Sequence, residues 1–249
     1  MSFLIDFLIA FGVGFAVAEV SVAATSLYLH RCLAHRALTL RPEAALLLRT
    51  WLWLTTGIKA NDWAAIHRRH HAACDTPDDP HSPAVLGFWR VQLTNVALYR
   101  KAARNRELVA RYSRDLNSDW LDRHVFRHGW LGLGLGIALI CLALGWPIGL
   151  LAAAIHTVLY IQINSSVNAV GHVYGRRPNQ NSGTNGRLLA LLSVGEGLHN
   201  NHHAAPTSAR FSLRRGEIDL GWWCVATMRT LRLATVRHSE PKLRLTQTP

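Results

Sequence analysis

Fourteen histidines occur in this 249-residue chain, and eight of them fall in three tight clusters. The clusters are His30-Arg-Cys-Leu-Ala-His35, His67-Arg-Arg-His70-His71 and His199-Asn-Asn-His202-His203. Residues three and four apart share one face of a helix, so each H-x-x-H-H copy can aim three imidazoles at one point. The five-residue step from His30 to His35 turns about 140° around an ideal helix. That pair converges only where the helix end loosens or a partner wraps round it. A ninth candidate is His172, which continues a polar stripe through Asn164 and Asn168 at i, i+4, i+8. The isolated His81, His124, His128, His156 and His238 read as ordinary core or surface residues. His156, for one, lies about 24 Å along its helix from His172. Eight or nine imidazoles exceed what one tetrahedral zinc can use. Imidazole suits zinc, copper, iron and nickel alike. Carboxylate di-metal bundles pair two Glu-x-x-His motifs; here only Glu196-Gly-Leu-His199 fits, so Glu196 reads as an outer partner that orients an imidazole. Two metals sharing about nine histidines is the simplest count.

The elements that must position these residues are set out by charge. The net charge is +12 and apolar residues make up 49%, with a mean hydropathy of +0.10. All 27 Lys and Arg lie in 31–127 or 176–244, and none in 1–30 or 128–175. Those uncharged stretches are also the most apolar, and about 20 helical residues cross a bilayer core. The pattern predicts a span at about 4–29 and a hairpin of two spans, about 130–146 and 148–171, turning at Gly145-Trp146-Pro147. The hairpin loop carries no Lys or Arg, which puts it and the N-terminus outside and the basic stretches inside. Such segregation excludes nucleic acid as the partner of the basic residues. Residues 1–29 lack the basic start and short apolar run of a signal peptide.

The apolar segment 43–58 contains Arg49 and is short; as a span it would separate His30 and His35 from His67, so it is predicted to lie at the interface. Trp51, Trp53 and Trp63 on or near it could anchor at the headgroup level. Cys32, Cys74, Cys141 and Cys224 are scattered without a C-x-x-C and read as reduced. Glu19, 11 residues before His30, is a carboxylate in an apolar span. It would either pair with Asn164 or Arg49 or line a cavity beneath the metals. The tail after Arg237 is polar and reads as loose.

HRCLAHR, HRRHH and GEGLHNNHH resemble the three histidine boxes of membrane fatty-acid desaturases of the Δ9, acyl-CoA type. NAVGHVYGRRP resembles that family's stretch before the third box, and DDPHSP follows the second box as it does there. The resemblance covers about residues 20–235. It implies two iron ions (Fe2+) held by His30, His35, His67, His70, His71, His172, His199, His202 and His203, with Asn168 holding a metal-bound water and O2 as co-substrate. The chain starts too close to the first box for the extra span of eukaryotic members and has no H-P-G-G. The expectation is a short bacterial-type member fed by a separate ferredoxin-, rubredoxin- or cytochrome b5-like donor with its reductase.

The predicted architecture is all-α: one desaturase domain, 1–249, of multi-pass membrane helices under a cytoplasmic helical cap, about 60–127 and 173–237, that holds a histidine-rich di-metal site in the inner membrane. The predicted reaction inserts a cis double bond, Δ9-like, into a fatty-acyl chain carried on CoA, acyl carrier protein or phospholipid and reached from the membrane lipid. An alkyl C–H bond offers nothing to an ordinary acid or base, so the oxidant must come from a cofactor. A fatty-acyl or lipid hydroxylase of the same di-iron type is the alternative. A membrane metal transporter is a remote one, since it would want ionisable residues in the middle of several spans.

Overall fold

A computed structural model describes residues 2–239. Helix α1 (Ser2–Ala24) runs without a break into a π-helical segment, Thr25–Ala34. The strand β1 (Leu38–Leu40) follows, then α2 (Pro42–Thr56) and α3 (Ala60–Ala72). The helices α4 (Pro83–Leu86), α5 (Phe88–Arg104) and α6 (Arg106–Tyr112) lead through a second π-helical turn, Asp122–Phe126, to α7 (Gly129–Leu144) and α8 (Trp146–Val173). The chain ends in α9 (Arg187–Leu192), α10 (His199–Ala204), α11 (Leu220–Thr230) and β2 (Ala234–Val236). The fold is therefore mostly helical, with one departure from the all-α expectation. β1 and β2 form a two-stranded antiparallel sheet in which Leu38 faces Val236, Thr39 faces Thr235 and Leu40 faces Ala234. Two three-residue strands carry no periodicity signal of their own; tertiary pairing makes them, and the pairing ties the chain just after His35 to its far end.

Two helices are long and apolar enough to cross a membrane: the continuous Phe3–Ala34 rod and α8. The third apolar helix, α7, has 16 residues, about 24 Å, short of a 30 Å hydrocarbon core. α1 and α8 run parallel along each other: Gly14 meets Ala152 and Ile155, and the Thr25 and Tyr160 hydroxyls are 2.8 Å apart. α7 turns back along α8 through Gly145, whose φ of 80° favours glycine.

α2 starts with Pro42 at its first turn and stops at Gly57, left-handed at φ 64°. Its 15 residues span about 22 Å, and the segments on either side of it carry His35 and His67, whose Nε2 atoms lie 2.8 Å apart. α2 lies directly on α7, because a Cβ on Gly132 would stand 2.3 Å from the Trp53 carbonyl and one on Gly136 2.1 Å from that of Leu54. Small residues at such spacing let helix backbones touch. Trp51 and Trp53 are half-buried in this packing; their indole N–H groups donate to the Ser21 hydroxyl at 3.0 Å and the His128 carbonyl at 3.1 Å. Arg49 turns away from Glu19 to Asp119 and Asp122. All four cysteines are free thiols. The tail expected to be loose lies, beyond residue 239, outside the described residues.

Candidate metal centre

All nine histidines singled out in the sequence converge. They form two groups: His30, His35, His67, His71 and His202, and His70, His172, His199 and His203, with ring nitrogens in each within 4.8 Å of one another. The awkward His30–His35 step is solved by the backbone. The π-helical turn bonds the His35 N–H to the His30 carbonyl at 3.0 Å, so residues five apart stack on one face, and the two rings sit 4.7 Å apart. The expectation that each H-x-x-H-H aims three imidazoles at one point is corrected. On α3, His67 and His71 enter the first group and His70 the second; on α10, His199 and His203 enter the second and His202 the first. Neighbours at i+3 and i+4 diverge by about 100° around a helix, enough to serve two centres flanking it.

The ring nitrogens fit a cation. The Nδ1 atoms of His30, His70 and His172 lie 2.6, 2.9 and 3.0 Å from the carboxylates of Glu196, Asp79 and Asp75. A carboxylate there fixes the proton on Nδ1 and turns the Nε2 lone pair inward. The inward Nε2 atoms face one another: His30 and His202 at 3.1 Å, His71 and His202 at 2.9 Å, His172 and His199 at 3.0 Å, and His199 and His203 at 3.0 Å. His70 Nε2 is buried with no partner among the described residues. A positive ion at each centre would satisfy these lone pairs together. Burial first, and neighbouring imidazoles second, hold His67, His71, His199, His202 and His203 well below the ordinary histidine range, which favours the neutral imidazole that metal binding requires. The donor set is imidazole alone, which suits zinc, copper, iron or nickel.

Beneath the first group a half-open cleft lies between α1, α3 and α8, lined in part by Val22, Thr25, Ile163 and Val167. His30, His67, His199 and Glu196 reach it from the metal side, and Asn164 and Asn168 from α8. Trp63 stacks on His67 at 4.9 Å and lines the cleft. Glu19 is not among the lining residues; its Oε1 is enclosed without a partner among the described residues, and Asn164 donates to the Tyr160 carbonyl at 2.8 Å instead.

Sequence reasoning gave no role to Asp75, Asp79, Arg31 or Asp219. An aspartate has no spacing signature when it serves a histidine eight or more residues away or on another helix. Burial, the largest single influence, would raise Asp79, but its bond to His70, the charges of His70 and His81 and the His81 N–H together hold it below the usual carboxylate range. His81 was grouped with the isolated histidines. It is buried, its ring 4.7 Å from that of His70, and burial followed by the His70 charge pushes it down to about 3. His156 fits its plain reading, buried with Nε2 2.8 Å from the Thr55 carbonyl.

Comparison with known proteins places the chain in a family. Residues 7–217 match the family model described as fatty acid desaturase. An acyl-CoA C20 Delta5-desaturase of Anemone leveillei is 33% identical, the match covering 91% of this chain and 73% of that protein. The Delta-9 acyl-lipid desaturase 2 of Arabidopsis thaliana is 32% identical over 83% of this chain and 67% of its own length. The sn-1 stearoyl-lipid 9-desaturase of Synechocystis sp. is 29% identical over 82% and 64%. The chain belongs to the fatty acid desaturase family and is an enzyme of that kind.

Proposed function

We propose that the chain binds two iron ions through its nine gathered imidazoles and uses O2 to insert a cis double bond, near mid-chain and Δ9-like, into a fatty-acyl substrate. The carrying observation is the division of the histidines into groups of five and four whose ring nitrogens crowd within 4.8 Å of one another, with His70 Nε2 buried without a partner among the described residues. Iron is the metal that the chain's family favours among those the donor set suits. Bound there, iron supplies the oxidising power of O2 reduction that an unactivated C–H bond requires. The balance is one acyl CH2–CH2, one O2, two external electrons and two protons, giving one CH=CH and two waters. Two electrons come from the acyl chain and two from a separate ferredoxin-, rubredoxin- or cytochrome b5-like donor.

The protein's own residues do the positioning. Val22, Ile163 and Val167 offer an apolar wall to the acyl chain beside His30, His67 and His199. Asn168 reaches the same cleft and is placed to hold a water there. Asp75, Asp79 and Glu196 keep His172, His70 and His30 in the tautomer that points Nε2 inward. The apolar wall of the cleft would limit water at the reacting carbons once an acyl chain fills it.

In this reading the Phe3–Ala34 rod, α7 and α8 sit in the inner membrane, and the site faces the cytoplasm. The support is the absence of any Lys or Arg from 1–30 and 128–175. The substrate is a chain on CoA, acyl carrier protein or phospholipid; both acyl-CoA and acyl-lipid desaturases are among the relatives. The test is expression in cells of known lipid composition, followed by fatty-acid profiling with double-bond location. A new mono-unsaturated acyl chain is expected. A hydroxylated chain, or an unchanged profile from iron-loaded, membrane-inserted protein, contradicts the proposal.

A further inference from the structure

The two histidine groups are backed differently. Glu196, behind His30 in the five-imidazole group, is clamped by Arg31, whose side chain is fully buried. The Arg31 Nη1 donates to Glu196 Oε1 at 2.9 Å and to the Ser26 hydroxyl, which itself donates to Glu196. Its Nη2 donates to Asp219 Oδ1 at 3.0 Å and its Nε to the Ala209 carbonyl at 3.0 Å. The guanidinium lies 3.8 Å over the Phe211 ring, which packs 4.7 Å from His202. Asp219 is held in turn by the N–H groups of Phe211 at 2.6 Å and Trp222 at 2.8 Å. Glycines make the space: a Cβ at 221 would stand 2.7 Å from Arg31 Nη1, and one at 195, where φ is +98°, 2.3 Å from Asp219 Oδ1. In the four-imidazole group, Asp79 and Asp75 back His70 and His172, and neither has an Arg or Lys in ion-pair reach among the described residues. Ser82 and backbone N–H groups hold them instead.

We propose that Arg31 is a positioning residue for the five-imidazole group: it fixes Glu196 against His30, and through that carboxylate it makes the two metal sites electronically unequal. A carboxylate behind an imidazole raises the ligand's basicity. A guanidinium sharing that carboxylate draws the charge back, so His30 is the weaker donor while His70 and His172 keep uncompensated carboxylates. A buried ion pair of this kind is costly to assemble and costlier to break. Retaining it beside a metal site, joined to both the first and the third box, gives it a role beyond cohesion.

The inference rests on the di-iron reading, and the experiment separates the two. The full chain, purified in detergent and loaded with 57Fe(II) without O2, is examined by Mössbauer spectroscopy. Wild type is expected to give two distinct quadrupole doublets. Glu196→Gln should shift one doublet and leave the other in place; Asp79→Asn should shift the other. Arg31→Met should move the same doublet as Glu196→Gln, and the double variant Arg31→Met/Glu196→Gln should match Glu196→Gln alone, since Arg31 acts through that carboxylate. The double variant leaves no unpaired Glu196 and keeps Asp219 on its backbone donors, so it decides the matter if Arg31→Met does not accumulate. A wild type with two irons whose spectrum is untouched by Glu196→Gln, or variants that move both doublets alike, overturns the role of Arg31. A wild type that takes up no iron overturns the di-iron reading and this inference with it.

Discussion

The two ends of the molecule invert each other. At the far end of the α1, α7 and α8 rods, large apolar side chains face outward, with Phe3 81%, Leu142 82% and Trp146 70% exposed. At the histidine end the interior holds Arg31, His70, His199, His202, Asn200 and Asn201, all fully buried. A water-soluble protein does the opposite on both counts. The contrast is what two ends in different solvents would show, as the proposed membrane placement requires. On the membrane reading proposed above the rods are stabilised by surrounding hydrocarbon, and the polar end is stable because most of its buried groups have partners, His70 Nε2 being an exception among the described residues. Asn200 shows the second rule: its side chain accepts from the Asn179 N–H at 2.8 Å and donates to the Asn181 side chain and the Gly183 carbonyl at 2.8 and 2.9 Å.

The comparison can be broken most severely at the polar end. His70→Ala and His202→Ala each remove one imidazole from a different group, and each should abolish desaturation and lower bound metal, with the protein still inserted in the membrane. Full activity of either variant in a fatty-acid assay would show that the groups are not ligand sets. A milder cut is Asp75→Asn, which keeps shape but weakens the carboxylate behind His172. Outer-partner losses of this type cost about 10–100-fold in metal affinity, read here as iron retention against a graded chelator.

At the rod end the expected effect is smaller. Val158 on α8 is 60% exposed; Val158→Arg should cost about 2.5–3.5 kcal/mol of insertion if hydrocarbon covers it and nearly nothing if water does. The membrane-inserted fraction, measured beside wild type, distinguishes the two. Smallest of all, His238→Ala should change stability by under about 0.5 kcal/mol and leave product formation alone.

How much of this was legible in the sequence follows from which interactions are local. The H-x-x-H-H boxes were readable because helical spacing brings the imidazoles of one box close together. Their division between two centres was not, since it depends on where α3 and α10 lie relative to each other. The five-residue step between His30 and His35 showed that the helix had to loosen, but the π-helical turn was the backbone's choice. Apolar helices at about 4–29 and 148–171 were legible from composition, but the continuation of the first to Ala34 and the start of the second at Trp146 were not. α7 came out shorter than predicted because Gly145, not Pro147, ends it. Asp75, Asp79, Arg31 and Asp219 stayed hidden, because a carboxylate or guanidinium serving another helix leaves no periodic trace, and β1–β2 pairing is likewise non-local. Glu196 was found only because it shares the i, i+3 frame of His199.

The central claim is that the chain holds two iron ions in its two histidine groups. Elemental analysis of the purified, active full-length protein tests it most directly. The account predicts about two irons per chain, one for each group, and loss of activity in step with their removal by chelation. A preparation that desaturates while holding a single zinc and no iron would contradict it.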